Sequence, residues 1–161
     1  MGNKPLYKMN DAKFKALLHP TGNDRVASWG TAVSVGYKPD VIIRDIEERL
    51  TFILECEQKT DRKAFLGALL KAELYADQQR ARPTLVIVMQ PKANTTTQQI
   101  ANHLRPYILW LAGKQGGRMN LACVHILSDA EYETAILEGE ELASAAFQRR
   151  GHLLRTATQP S

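Results

Sequence analysis

Residues 84–89, Thr-Leu-Val-Ile-Val-Met, form an unbroken apolar run between two stretches of helical periodicity. A strand with one wet face alternates apolar and polar side chains. One without alternation is covered on both faces, which favours a parallel neighbour. Residues 121–127 have the same character. Between the runs, Thr95-Thr96-Thr97 opens a helix to about residue 112, which Pro106 is expected to kink or split. Before them, Thr60 or Asp61 caps a helix running to about residue 79, with Phe65, Ala68, Leu69, Ala72 and Tyr75 at helical spacing. Strands alternating with helices in this way predict parallel crossovers.

The first third of the chain reads differently. Asn10-Asp11 caps a short helix through Leu18, with Phe14, Leu17 and Leu18 as its apolar stripe. Residues 26–35 are rich in strand formers, and Gly36 and Pro39 then break the chain. Residues 41–43 and 51–57 read as a hairpin about the polar turn 45–48. Ser128-Asp129 caps a final helix to about residue 149, and residues 156–161 read as a frayed tail. The expected fold is an α/β domain spanning residues 1–155, a mixed central sheet flanked by helices.

Composition narrows the function classes. With 21 basic and 17 acidic residues the net charge is +4, which admits a polyanionic partner without requiring one. No run approaches the about 18 apolar residues a spanning helix needs, so no membrane association is expected. The N-terminal residues lack an apolar signal core, and Cys56 and Cys123 each sit inside an apolar run, too few for a disulfide scaffold or a thiolate zinc site. Both points favour a reduced, cytoplasmic setting. His19, His103, His125 and His152 have no metal-ligand spacing; His125 reads as a buried strand residue and the others as surface. Trp110 reads as core, and no glycine-rich phosphate loop is present.

The stretch 39–57 carries the chemistry. Strand alternation puts Ile53, Glu55, Glu57 and, if the strand extends, Lys59 on one face. A hairpin centred near residues 47 and 48 sets Asp40 opposite Glu55, with Cβ atoms roughly 5 Å apart. Carboxylates that close repel unless a cation compensates, and a hard divalent ion such as Mg²⁺, or Mn²⁺, suits oxygen ligands. The expected metal ligands are Asp40, Glu55 and Glu57, with Lys59 assisting and Lys63 and Lys71 at the edge. The plainer alternatives are a turn residue after proline for Asp40, a solvent-facing strand end for Glu57, and solvated helix positions for the two lysines. Glu55 resists such a reading, because a carboxylate beneath a helix is costly unless paired.

Pro39-Asp40, then Phe52-Ile53-Leu54-Glu55-Cys56-Glu57, then a helix, resembles the PD-(D/E)xK nuclease superfamily, and the order of elements agrees over residues 10–149. The resemblance implies a restriction-endonuclease-like core, Asp40 and Glu55 as metal ligands, and metal-dependent hydrolysis of DNA phosphodiesters. Glu57 stands where the family usually has Lys; some restriction endonucleases of the superfamily use Glu there, and Lys59 or Lys71 would replace the amine. Basic residues Lys8, Lys13, Lys15 and Arg25, with Lys63, would contact DNA phosphates, which position rather than specify. Such enzymes often work as dimers, so a homodimer is an expected assembly, although the sequence shows no interface. More narrowly, His19 with Asn23, Pro39-Asp40, Leu54-Glu55, Thr60 and the Lys71/Tyr75 helix are similar to the replication-relaxation proteins of bacterial plasmids. The rival expectations are a nuclease-fold module that no longer cleaves but binds DNA or a protein partner in plasmid or phage DNA handling, and an acidic cluster that is merely a structural metal or solvent site.

Overall fold

The computed structural model describes residues 9–158. Its elements in chain order are α1 (Asp11–Ala16), β1 (Arg25–Trp29), β2 (Val41–Arg44), β3 (Leu50–Glu57), α2 (Arg62–Gln79), β4 (Thr84–Met89), α3 (Thr97–Lys114), β5 (Arg118–Ser128), α4 (Asp129–Leu137), α5 (Ala145–Gln148) and β6 (His152–Ala157). The strands form one six-stranded sheet in sequence order. β1, β2 and β3 are antiparallel neighbours, β3, β4 and β5 run parallel, and β6 returns antiparallel to β5. The fold is a mixed α/β sheet flanked by helices. Among the described residues no helix is long and apolar enough to cross a membrane.

Alternation along each strand sorts the core into two layers. Ile42, Ile53, Leu85, Ile87, Val124 and Ile126 pack with Phe65 and Leu69 of α2 and with Ile100, Leu104 and Ile108 of α3. Val41, Ile43, Leu54, Cys56, Val86 and Val88 pack on the other face with Phe14 of α1, Tyr132 of α4 and Phe147 of α5. Leu85 to Met89 are therefore buried whichever way they point, the reason this strand shows no polar period.

Several expectations need correction. β1 stops at Trp29, and residues 30–40 cross irregularly to β2. Pro106 does not split α3, which continues to Lys114. The expected final helix ends at Leu137, is followed by positive-φ Gly139, resumes only as α5 and leads into an unforeseen strand. Gly151 turns the chain into β6 at φ +59, where a Cβ would run into the Ile126 carbonyl. β6 runs past residue 155, and Thr156, 1% exposed, donates to the Ala122 carbonyl at 2.8 Å. Leu18 and Trp110 are exposed rather than packed.

His19 is also buried, contrary to expectation. Its Nε2 lies 2.9 Å from the Phe14 carbonyl, to which it can only donate. In the neutral ring Nδ1 is then bare and accepts from the Tyr132 hydroxyl at 2.6 Å. Burial holds the His19 pKa down at about 4, the Phe14 carbonyl opposing. This histidine locks α1 against α4.

Candidate active site

β2 and β3 pair Ile42 with Ile53 and Val41 with Leu54, so one further step sets Asp40 beside Glu55 as the hairpin register predicts. Asp45 fixes that register: its Oδ1 accepts the Glu47 and Arg49 amides, closing the turn. Asp40 is almost wholly buried. Its Oδ2 accepts the Cys56 amide at 2.8 Å, and its Oδ1 lies 3.7 Å from Lys15 Nζ. Burial raises the Asp40 pKa, and Asp11 adds repulsion; the Cys56 amide and Lys15 oppose the rise.

Glu55 faces inward from β3. Its Oε1 is buried and makes no hydrogen bond of good geometry, and the same holds for the Tyr37 hydroxyl, although the phenol lies close enough to interact with the Glu55 carboxylate. Burial pushes the Glu55 pKa up to about 8, with repulsion from Asp40 adding to it and the Asp40 backbone amide acting against it. The Tyr37 phenol is raised as well, by burial first and by the Glu55 charge second. Tyr37 is held edge-on against Tyr75 of α2, ring centroids 5.7 Å apart. A buried carboxylate oxygen without a well-placed donor is an unmet demand for a proton or a cation.

Two openings meet at this carboxylate. One, of about 460 Å³, is lined by Asp11, Asp40, Glu55, Glu57 and Lys59. The other, of about 440 Å³, is lined by Tyr37, Lys38, Glu55, Glu57, Lys63 and Lys71. Glu55 and Glu57 line both and separate an acidic side from a lysine-rich side. Lys63, Gly67 and Lys71 recur every four residues along α2, so one helix face borders the second opening.

The structure brings Asp40, Glu55, Glu57, Lys59, Lys63 and Lys71 to this end of the hairpin and sends others elsewhere. β3 ends at Glu57, so Lys59 leaves the strand, and its amide donates to Glu57 Oε1 at 2.9 Å. Lys15, expected on DNA phosphate, is turned to Asp40. Lys13 is on the exposed side of α1. Arg25 sits at the far end of β1, beside Arg44, and pairs with Glu48. Lys8 lies outside the described residues. Three site residues were not anticipated. Lys38 and Tyr37 immediately precede Pro39-Asp40, a proximity legible in the sequence. Asp11 arrives only because α1 docks beside the end of β3, where Gln58 donates to it at 3.0 Å; no local pattern signals that.

The donor set suits a hard cation in one specific way. Mg²⁺ keeps several waters and is commonly held by one or two carboxylates together with a substrate phosphate, and Asp40 and Glu55 with its orphaned oxygen are two such groups. An all-protein cage is a different matter: among the described residues no group of three or more His, Cys, Asp or Glu side chains is gathered to hold a metal ion. No protein-family model, curated protein or solved structure matches the chain.

Proposed function

We propose that the protein is a metal-dependent hydrolase of DNA phosphodiesters, with Asp40 and Glu55 as its metal-binding carboxylates. The observation that carries this reading is Glu55 Oε1: buried, without a well-placed donor, beside Asp40, at the junction of an acidic and a lysine-rich opening. A hard divalent cation bound there would activate a water and offset charge developing on the phosphate. The residues of the chain do the rest. The Cys56 amide fixes Asp40, Lys15 keeps it ionised, and Glu57 shares the rim. Lys38, Lys63 and Lys71 draw the phosphate to the opening opposite Asp40. Two free cysteines, Cys56 buried and Cys123 half-buried, accord with a reducing cytoplasm. The test is cleavage of supercoiled plasmid in Mg²⁺ or Mn²⁺ by the protein and by Glu55→Gln.

A second reading has its own support. Glu57 occupies the usual lysine position of the resembled family and accepts the Lys59 amide, and among the described residues no three acidic side chains gather as a metal cage. A module that binds DNA through the lysine face without cutting it fits those two facts. Salt-sensitive binding without cleavage in either metal would select it.

A further inference from the structure

At the opposite end of the hairpin lies a cavity of about 490 Å³, between the β2–β3 turn and the C-terminal end of α2. It lies roughly 17 Å from Glu55, five residues along β3 at about 3.3 Å each. Its charged lining is Arg44, Asp45, Glu48, Arg49, Arg80 and Arg82. Both acids are already matched, Asp45 by Arg49 at 3.0 Å and Glu48 by Arg25. Glu48 also feels the Arg44 charge, without an ion pair between them. Arg44, Arg80 and Arg82 have no carboxylate within ion-pair distance among the described residues, so the lining, with four arginines and two acids, is net positive.

Their donors are free to act. Arg44 is held by three uncharged acceptors, the Glu48 carbonyl at 3.0 Å, the Tyr75 hydroxyl at 3.1 Å and Gln79 Oε1 at 3.0 Å. A guanidinium has five N–H donors, so Arg44 keeps two in a fixed orientation. Arg82 uses one, a long contact of 3.4 Å to the Met119 carbonyl, and the Arg80 side chain uses none. Two non-glycine residues have positive φ among the described residues, Glu48 at 65° and Arg80 at 50°, and both line this cavity. Arg80 is the left-handed C-cap of α2 and Glu48 closes the β2–β3 turn, so these two chain reversals fix the backbone of the cavity rim.

We propose that this cavity is a second binding site, specific for the phosphate oxyanion and held by Arg44, Arg80 and Arg82. The planar guanidinium fork matches phosphate oxygens two at a time. Two sources share this chemistry: the terminal phosphate of a free nucleotide and the backbone of a nucleic acid. The site stands independently of the hydrolytic reading, since it uses none of the residues around Glu55.

The test is an NMR titration of the whole chain with inorganic phosphate, with ADP and with a 12-base-pair duplex, each against chloride of equal ionic strength. Phosphate is expected to shift the amides of residues 44–51 and 79–82 saturably, where chloride does not. The exposed pair Arg80→Gln/Arg82→Gln is expected to weaken binding at least tenfold and leave the melting temperature in chloride unchanged. A saturable response to ADP identifies a free nucleotide; a response to the duplex alone identifies nucleic-acid backbone. Equal shifts with chloride, or unchanged phosphate affinity in the double variant, overturn the proposal.

Discussion

The Asp40 carboxylate accepts the Cys56 backbone amide at 2.8 Å. One short contact thus ties the residue before β2 to the strand that carries Glu55, and it spends one oxygen of Asp40 while leaving the other to Lys15. The two roles of Asp40, structural acceptor and charged ligand, separate by substitution. Asp40→Asn keeps an acceptor for the amide and removes the charge, so it is expected to fold normally and to lose cleavage by about 100-fold or more, since metal-held charge stabilisation amounts to several kcal/mol. Asp40→Leu also orphans a buried N–H, at about 1–3 kcal/mol of stability. Plasmid cleavage and urea unfolding of both variants check the separation.

Glu55 makes stability depend on pH and on cation together. Its carboxyl is raised from 4.5 to about 8, so between those values the folded chain holds a proton that the unfolded chain has released. The Glu55 contribution to stability without divalent cation is expected to fall as pH rises through that window, by on the order of 5 kcal/mol. Glu55→Gln removes this fall. Mg²⁺ binds the ionised carboxylate, so its stabilising effect is expected to grow with pH over the same range in the wild type and to be absent in the variant. Thermal melts at pH 5, 6.5 and 8, with and without Mg²⁺, read both effects.

His19 acts in the opposite sense. Its pKa falls from 6.5 to about 4 on folding, so below pH 6.5 the unfolded chain takes up a proton that the folded chain refuses. The stabilisation is complete above pH 6.5 and is lost as pH falls towards 4, on the order of 2–3 kcal/mol. Tyr132→Phe removes the hydroxyl donor to Nδ1 and is expected to cost about 1 kcal/mol at pH 7. Urea unfolding of Glu55→Gln at pH 7.5 and pH 5 measures the first effect free of the opposing Glu55 contribution, and Tyr132→Phe at pH 7 measures the second.

The two candidate lysines differ in what holds them. Lys71 projects from the middle of α2 and borders the opening that contains Glu55, whereas Lys59 follows the end of β3 on a loop. Groups on regular elements are placed more sharply than groups on loops. Lys71→Met is therefore expected to slow cleavage by about 100-fold, in the range of a positioned acid–base or charge-stabilising group. Lys59→Ala is expected to slow it less than about tenfold by the same comparison. Single-turnover cleavage rates at saturating protein order the two.

The hairpin and the central strands were legible because their signals are local. Unbroken apolar runs marked β4 and β5, and the polar turn at residues 45–48 fixed the register that brings Asp40 to Glu55. The unread parts depend on distant contacts. β6 is short, and half of its residues are polar, so only pairing with β5 makes it a strand. Lys15 and Arg25 look alike in sequence, but packing of α1 turns one to Asp40 and the sheet edge gives the other to Glu48. Trp110 carries no sign in the sequence that its side of α3 stays uncovered.

The most direct test of the central claim compares nicking of supercoiled plasmid by the wild type and by Glu55→Gln, in Mg²⁺ and in Mn²⁺, with the fold of both checked by circular dichroism. Metal-dependent hydrolysis at Glu55 predicts cation-dependent nicking by the wild type and none by the variant. Nicking by the folded variant at the wild-type rate, or no nicking by the wild type with either metal, contradicts it.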